Sequence, residues 1–228
     1  MNNNELENRI NSIESMLFRV IDFMAIGADK VAIYEFITYE TVRRQLELDY
    51  ILMEKTPASS FNVYCQHSLF QIENLLNYYY ALRFKGRIEE AKTHFNFKAD
   101  DENVNSRKFR VSELSYSAKF TSFAKEFLSE NNRPTTLNTN IQSIAYVRHS
   151  TVHRNSYDID AFESEKLKEF EEVLKKENKE RTKEDWDLFN LGRKIQFKQN
   201  TSFSLVKRVT IEFVQIIKPL IEELQKGG

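Results

Sequence analysis

Apolar residues recur three and four positions apart along most of this chain, the period of helices packed by one face. The first such stripe is Leu6, Ile10, Ile13, Leu17, Val20, Ile21 and Met24, with asparagines before it as caps and Gly27 as a stop. Residues 28–55 are less regular. Val31 to Tyr39 has strand propensity, but Val42, Leu46 and Tyr50 continue a helical reading, so a helix ending before Pro57 is expected. Ser59 or Ser60 then caps a long central helix over 61–84. It carries Tyr64, Ser68, Ile72, Leu75, Tyr79 and Leu82, and Gly86 terminates it.

A short helix over 87–95 and a polar loop over 96–110 follow. Ser112 is expected to open a helix through Leu114, Phe120, Phe123 and Phe127, stopped at Asn131-Asn132-Arg133-Pro134. Thr135 or Thr136 caps the next helix, about 135–156, whose stripe is Leu137, Ile141, Ile144 and Val152. Residues 162–179 read as a solvated helix with a thin apolar face of Phe162, Leu167, Phe170 and Leu174. Its ion pairs are expected at Glu171/Lys175 and Glu172/Lys176. Thr182 and Asp185 form a variant capping box ahead of Trp186 and Phe189. A last helix spans about 201–225, with Pro219 as a kink. The 162–199 stretch is a polar helical insertion whose aromatic residues dock it. No repeat or low-complexity linker divides the chain, so residues 1–228 are expected to form a single all-α domain.

Composition supports that picture. Only 5 Gly and 3 Pro leave few turns for a many-stranded sheet, while 18 Phe and 10 Tyr supply an aromatic core. The net charge of −1 gives no global field toward nucleic acid, so any such contact needs a local patch. One exists: between Ile141 and Tyr157 there are two arginines, two histidines and no acid. The single cysteine, Cys65, leaves no internal disulfide and fits a reducing compartment. The N-terminus lacks the features of a signal peptide, and no apolar run approaches the roughly 20 residues of a membrane span. A cytoplasmic protein without a membrane segment is expected.

The chemistry concentrates on the 135–156 helix. Arg148 falls within its apolar stripe, and His149 and His153 lie one turn apart along the flank. A guanidinium keeps its charge and is rarely buried unless paired. The two imidazoles bring groups that titrate near neutrality. A fixed cation beside proton-transfer groups suits phosphodiester chemistry.

An arginine, a polar residue and a histidine after four intervening residues, on a helix of an all-helical chain, resembles the HEPN superfamily. The resemblance covers about 141–155, with the aromatic helix at 61–84 as loose support. It implies a HEPN-like helical bundle with additional helices. It also implies a metal-independent endoribonuclease, without cofactor, that acts on RNA from a homodimer interface where two motifs meet. By position, Arg148 would hold the scissile phosphate, and His153 would move the proton of the 2′-hydroxyl or of the leaving oxygen. His149 would orient substrate or share the acid–base role, with Arg154 and Asn155 as substrate-binding residues. Many such proteins are toxins or defence effectors. Some are silenced through a tyrosine two residues after the histidine, where this chain has Asn155 and an antitoxin would have to act otherwise.

Other readings of these residues compete. Arg148 also fits a structural arginine paired with a buried carboxylate, perhaps on the 112–132 helix, and the histidines fit a satisfied surface pair. Zinc held by the two histidines with Cys65 and His67 is conceivable, but no spacing supports it; Cys65 reads better as a small buried residue. Arg87 and His94 share the arginine-to-histidine spacing, but Glu89 or Glu90 would neutralise Arg87. Tyr78-Tyr79-Tyr80 with Phe84 suits core packing better than base stacking. Lys175, Lys176 and Lys179 sit among glutamates on a solvated face. Asp158 and Asp160 fit a turn or cap.

Overall fold

The computed structural model describes residues 32–95, 114–130, 133–152 and 156–227, and within them the fold is all-helical. Eight helices are present among the described residues: α1 Glu40–Glu54, α2 Phe61–Arg83, α3 Ile88–His94, α4 Tyr116–Phe127, α5 Thr136–Val152, α6 Ser156–Lys175, α7 Lys183–Asn200 and α8 Phe203–Lys226. A two-residue antiparallel ladder, β1 Ser129–Glu130 with β2 Arg133–Pro134, turns α4 into α5. The stripe at 6–24 and the polar loop at 96–110 lie outside the described residues.

Helix α2 is apolar around most of its circumference and is therefore the central element. Helix α8 lays Val206, Val209, Phe213, Val214, Ile217 and Ile221 against it. Within that contact the fully buried Ser68 and Thr210 hydroxyls satisfy each other at 2.7 Å, so neither is left unpaired in the core. Helices α1 and α5 pack on α2 as well. The run Tyr78-Tyr79-Tyr80 with Phe84 is buried in this core, as its helical spacing suggested. Pro219 sits inside α8 on its exposed side, as does Gln215 one turn earlier, so the helix runs on through the proline on its solvent face.

Three element boundaries depart from the sequence reading. Residues 28–55 do not form one helix: a 3-10 turn, Ala32–Tyr34, precedes α1, and Tyr39 is extended. Tertiary bonds capture the intervening segment. Gln225 of α8 accepts from the Thr38 amide (3.0 Å), the Thr38 hydroxyl (2.7 Å) and the Tyr78 hydroxyl (2.9 Å), and donates to the Phe36 carbonyl (2.9 Å). Ser115, not Ser112, caps α4 by accepting from the Ala118 amide. The described part of the motif helix ends at Val152, and α6 begins at Ser156, earlier than the expected 162.

The 162–199 insertion is a hairpin of α6 and α7 that docks through α7 onto α5. Thr182 and Asp185 form the expected capping box. The apolar face of α6 is only in part the expected one. Phe170 and Val173 are buried, whereas Phe162 and Leu174 are about half exposed. The cause is Glu163, which occupies the buried face because Tyr146 and Lys198 bond to it there. The anticipated Glu–Lys pairs are also replaced, by Lys175–Glu172 and by Lys176–Asp185 across the hairpin.

Candidate functional site

Helix α5 is fixed at its start by Thr135, whose hydroxyl accepts from the Asn138 amide at 3.3 Å. Buried Leu137, Ile141, Ile144 and Val147 then hold it in the core cluster. Steps of about 100° per residue place Arg148 in that same arc, at the end where the core gives way to solvent. It is half-buried, and its guanidinium lies over the Phe70 ring of α2, 5.2 Å from the centroid. Such a contact contributes about 0.5–2 kcal/mol.

Around it, one stripe of α2 is only half-buried: Gln66, Phe70, Glu73 and Asn77. Burial raises the ionisation of the Tyr116 hydroxyl well above the usual range, with Glu73 raising it further and Arg148 opposing. Both charges therefore lie near that oxygen, which has no hydrogen-bond partner among the described residues. Among the described residues, the carboxylate that shares this neighbourhood is Glu73 of the central helix. Glu126, the acid within α4, is engaged with Arg83 at 2.7 Å.

One step further round α5, His149 is exposed and faces a different neighbourhood. It lines a groove of about 790 Å³ between α4 and α5, bounded also by Lys194 of α7. The groove wall carries Lys125, Lys194 and His149 and no carboxylate. Partial burial lowers the Lys194 ammonium below its ordinary range. His153, Arg154 and Asn155 lie outside the described residues. The structure thus brings Arg148 and His149 to one end of one helix, the first turned to α2 and the second to the groove.

Behind the groove, Glu163 binds the hairpin to the motif helix. Its carboxylate, nearly fully buried, accepts from the Tyr146 hydroxyl at 2.9 Å and from the Lys198 ammonium at 2.9 Å through both oxygens. Lys119 of α4 is buried and donates to the Asn77 side-chain oxygen; burial lowers its pKa, which Glu73 counteracts.

The remaining candidates resolve into structural roles. Arg87 pairs with Glu90 at 3.2 Å, and His94 contacts the Ser122 hydroxyl at 2.6 Å inside an aromatic cluster. Cys65 is fully buried and its thiol is pushed up to about 12, which leaves it an apolar core residue. No group of three metal-ligating side chains occurs among the described residues. Lys175, Lys176 and Lys179 each pair with an acid. Asp158 and Asp160 are exposed in the first turns of α6, where carboxylates favour the helix N-terminus. No helix of the described residues is long and apolar enough to cross a membrane.

Sequence reasoning did not find Phe70, Glu73, Tyr116, Lys125 or Lys194. For Phe70 and Glu73 a signal existed: polar Gln66, Glu73 and Asn77 share one stripe of α2 with Phe70, at spacings of four, three and four, which marks a face not fully packed into the core. Lys125 and Lys194 carry no such signal, because their meeting depends on how the hairpin docks. No family model, curated protein or solved structure matches the chain.

Proposed function

We propose that this chain is a HEPN-type, metal-independent endoribonuclease acting as a toxin or defence effector. The observation that carries the reading is Arg148, a permanent cation set in an apolar arc and lying over Phe70, with His149 beside it on the wall of a cationic groove. Arg148 binds the scissile phosphate, for which its fork of donors is suited. His153 takes the proton from the 2′-hydroxyl, and O2′ attacks phosphorus. The P–O5′ bond breaks and the leaving oxygen takes a proton from an imidazole, His149 or its counterpart. The products are a 2′,3′-cyclic phosphate and a 5′-hydroxyl. Arg154 and Asn155 contact the flanking backbone. A homodimer that juxtaposes two α5 helices supplies the second motif, and an antitoxin or regulatory partner restrains the activity.

A second reading has its own support: a catalytically idle HEPN-like module that binds RNA, nucleotide or a partner protein. Phe70 and Glu73 beside Arg148 are what a structural arginine requires. Induced expression in a bacterial host separates the two. The ribonuclease arrests growth and fragments cellular RNA, and Arg148→Ala relieves both without loss of soluble protein. Equal arrest by Arg148→Ala, or RNA that stays intact, contradicts the ribonuclease.

A further inference from the structure

We propose that the groove between α4 and α5 is a nucleotide subsite, which takes one nucleoside monophosphate unit of single-stranded RNA alongside the phosphate held at Arg148. This deepens the ribonuclease reading by naming where the adjoining nucleotide sits.

Three observations converge on that ligand. The α4 wall presents the half-buried ring of Tyr116, backed by the buried Phe120 ring at 5.5 Å and 12° from parallel, an aromatic lining of the kind against which a base stacks. The opposite wall, from α5, offers the exposed Gln142 beside Ala145; its amide gives one hydrogen to the Asn138 oxygen at 2.9 Å and keeps its oxygen and second hydrogen for a base edge. Lys125 and Lys194 flank the groove, and neither makes an ion pair among the described residues, although most lysines nearby in the hairpin do. With no carboxylate in the lining, the groove is complementary to an anion. Lys194 is partly desolvated, so its charge is held at a cost that a bound phosphate offsets. An acidic peptide would satisfy the lysines but leave the aromatic wall unused.

The groove is continuous with the motif. His149 lies at one end, and Tyr116 connects it to the surroundings of Arg148 and Glu73. From Asn138 to His149 the groove follows α5 for about 16 Å, room for a nucleotide and its two phosphates. A base on Tyr116 therefore delivers its phosphate toward the helix end that carries Arg148.

The test is a binding measurement that needs no turnover. A fluorescein-labelled decaadenylate with 2′-deoxy sugars, which cannot be cut by 2′-hydroxyl attack, is titrated into the full-length protein and followed by anisotropy. Binding to the wild type is expected, competed by 5′-AMP and weakened about thirtyfold or more by Lys125→Glu with Lys194→Glu. Gln142→Ala should weaken it severalfold, and a urea-unfolding curve of the same variant separates that loss from the loss of the Gln142 donor to buried Asn138. Lys194→Gln serves where the double reversal unfolds the protein, and it should show a smaller loss in the same direction. Absence of binding to the wild type, unchanged affinity in the lysine variants, or competition by hexaglutamate as strong as by 5′-AMP overturns the subsite. If the oligonucleotide binds as described but the matching RNA is never cut, the subsite stands and the ribonuclease reading fails.

Discussion

The guanidinium carbon of Arg148 lies 5.2 Å from the centroid of the Phe70 ring, so the cation of the motif lies against an aromatic residue of the central helix. Arginine at this place brings a planar, delocalised cation and a fork of donors. A lysine at the same place keeps the charge and loses both. Arg148→Lys is therefore expected to lower kcat/KM for RNA by about 100-fold or more. The same change should alter unfolding free energy by about 1 kcal/mol or less. Cleavage kinetics alongside urea unfolding check this, and near-wild-type activity in the lysine variant would remove the geometric role.

Glu163 is the buried anchor between the motif helix and the hairpin. Glu163→Ala leaves the Lys198 ammonium and the Tyr146 hydroxyl without their acceptor and should destabilise the protein by about 3 kcal/mol. Glu163→Gln keeps an acceptor for Tyr146 and should cost about half as much. Limited proteolysis should cut within 176–182 first in the alanine variant. A glutamine variant as stable as the wild type would mean that charge contributes nothing at this junction.

His94 gives a pH signature of the fold. Burial, then the Arg83 charge, lowers its pKa below the ordinary 6.5, with Glu126 opposing, and the ring contacts the Ser122 hydroxyl. The unfolded chain therefore takes up the proton more readily than the folded one. Stability linked to this group is complete above about pH 6.5 and falls as the pH drops through the lowered folded value. Histidine NMR titration should find His94 below 6.5, and His94→Gln should flatten this part of the stability profile between pH 7 and 5. A titration at or above 6.5 contradicts the assignment.

Gly192 marks the closest approach within the hairpin. A Cβ there would collide with the Phe170 ring and its own Cβ, and Phe170 is buried. The better helix propensity of alanine is worth about 1 kcal/mol, less than the strain of displacing a packed ring, about 1–3 kcal/mol. Gly192→Ala should lower stability by about 1 kcal/mol in urea unfolding; a stabilised variant would show that the ring moves freely.

Helices whose faces repeat cleanly were legible in the sequence: the stripes at 61–84 and 201–225 and the Thr182–Asp185 cap all formed. Legibility ended where distant residues decide. Gln225 pulls residues 36–38 out of a helix they would otherwise extend. A buried Glu163 changes which residues of α6 are covered, because its partners Tyr146 and Lys198 come from two other helices. At the site, the sequence located Arg148 in its apolar arc and His149 on the flank. It did not identify Phe70, nor the cationic groove, since those depend on packing between α2, α4, α5 and α7 that no local pattern encodes.

The central claim is tested most directly by the ends of the RNA the protein produces. Purified wild-type chain is incubated with a labelled single-stranded RNA in excess EDTA, beside Arg148→Ala and His153→Ala variants of equal stability. The expected result is chelator-resistant cleavage that leaves a 2′,3′-cyclic phosphate, is blocked by a 2′-deoxy sugar at the cut site, and falls by at least about 100-fold in each variant. His149→Ala should lose less than His153→Ala. Cleavage that vanishes in EDTA and returns with zinc or magnesium, or that proceeds equally on DNA, would contradict the account.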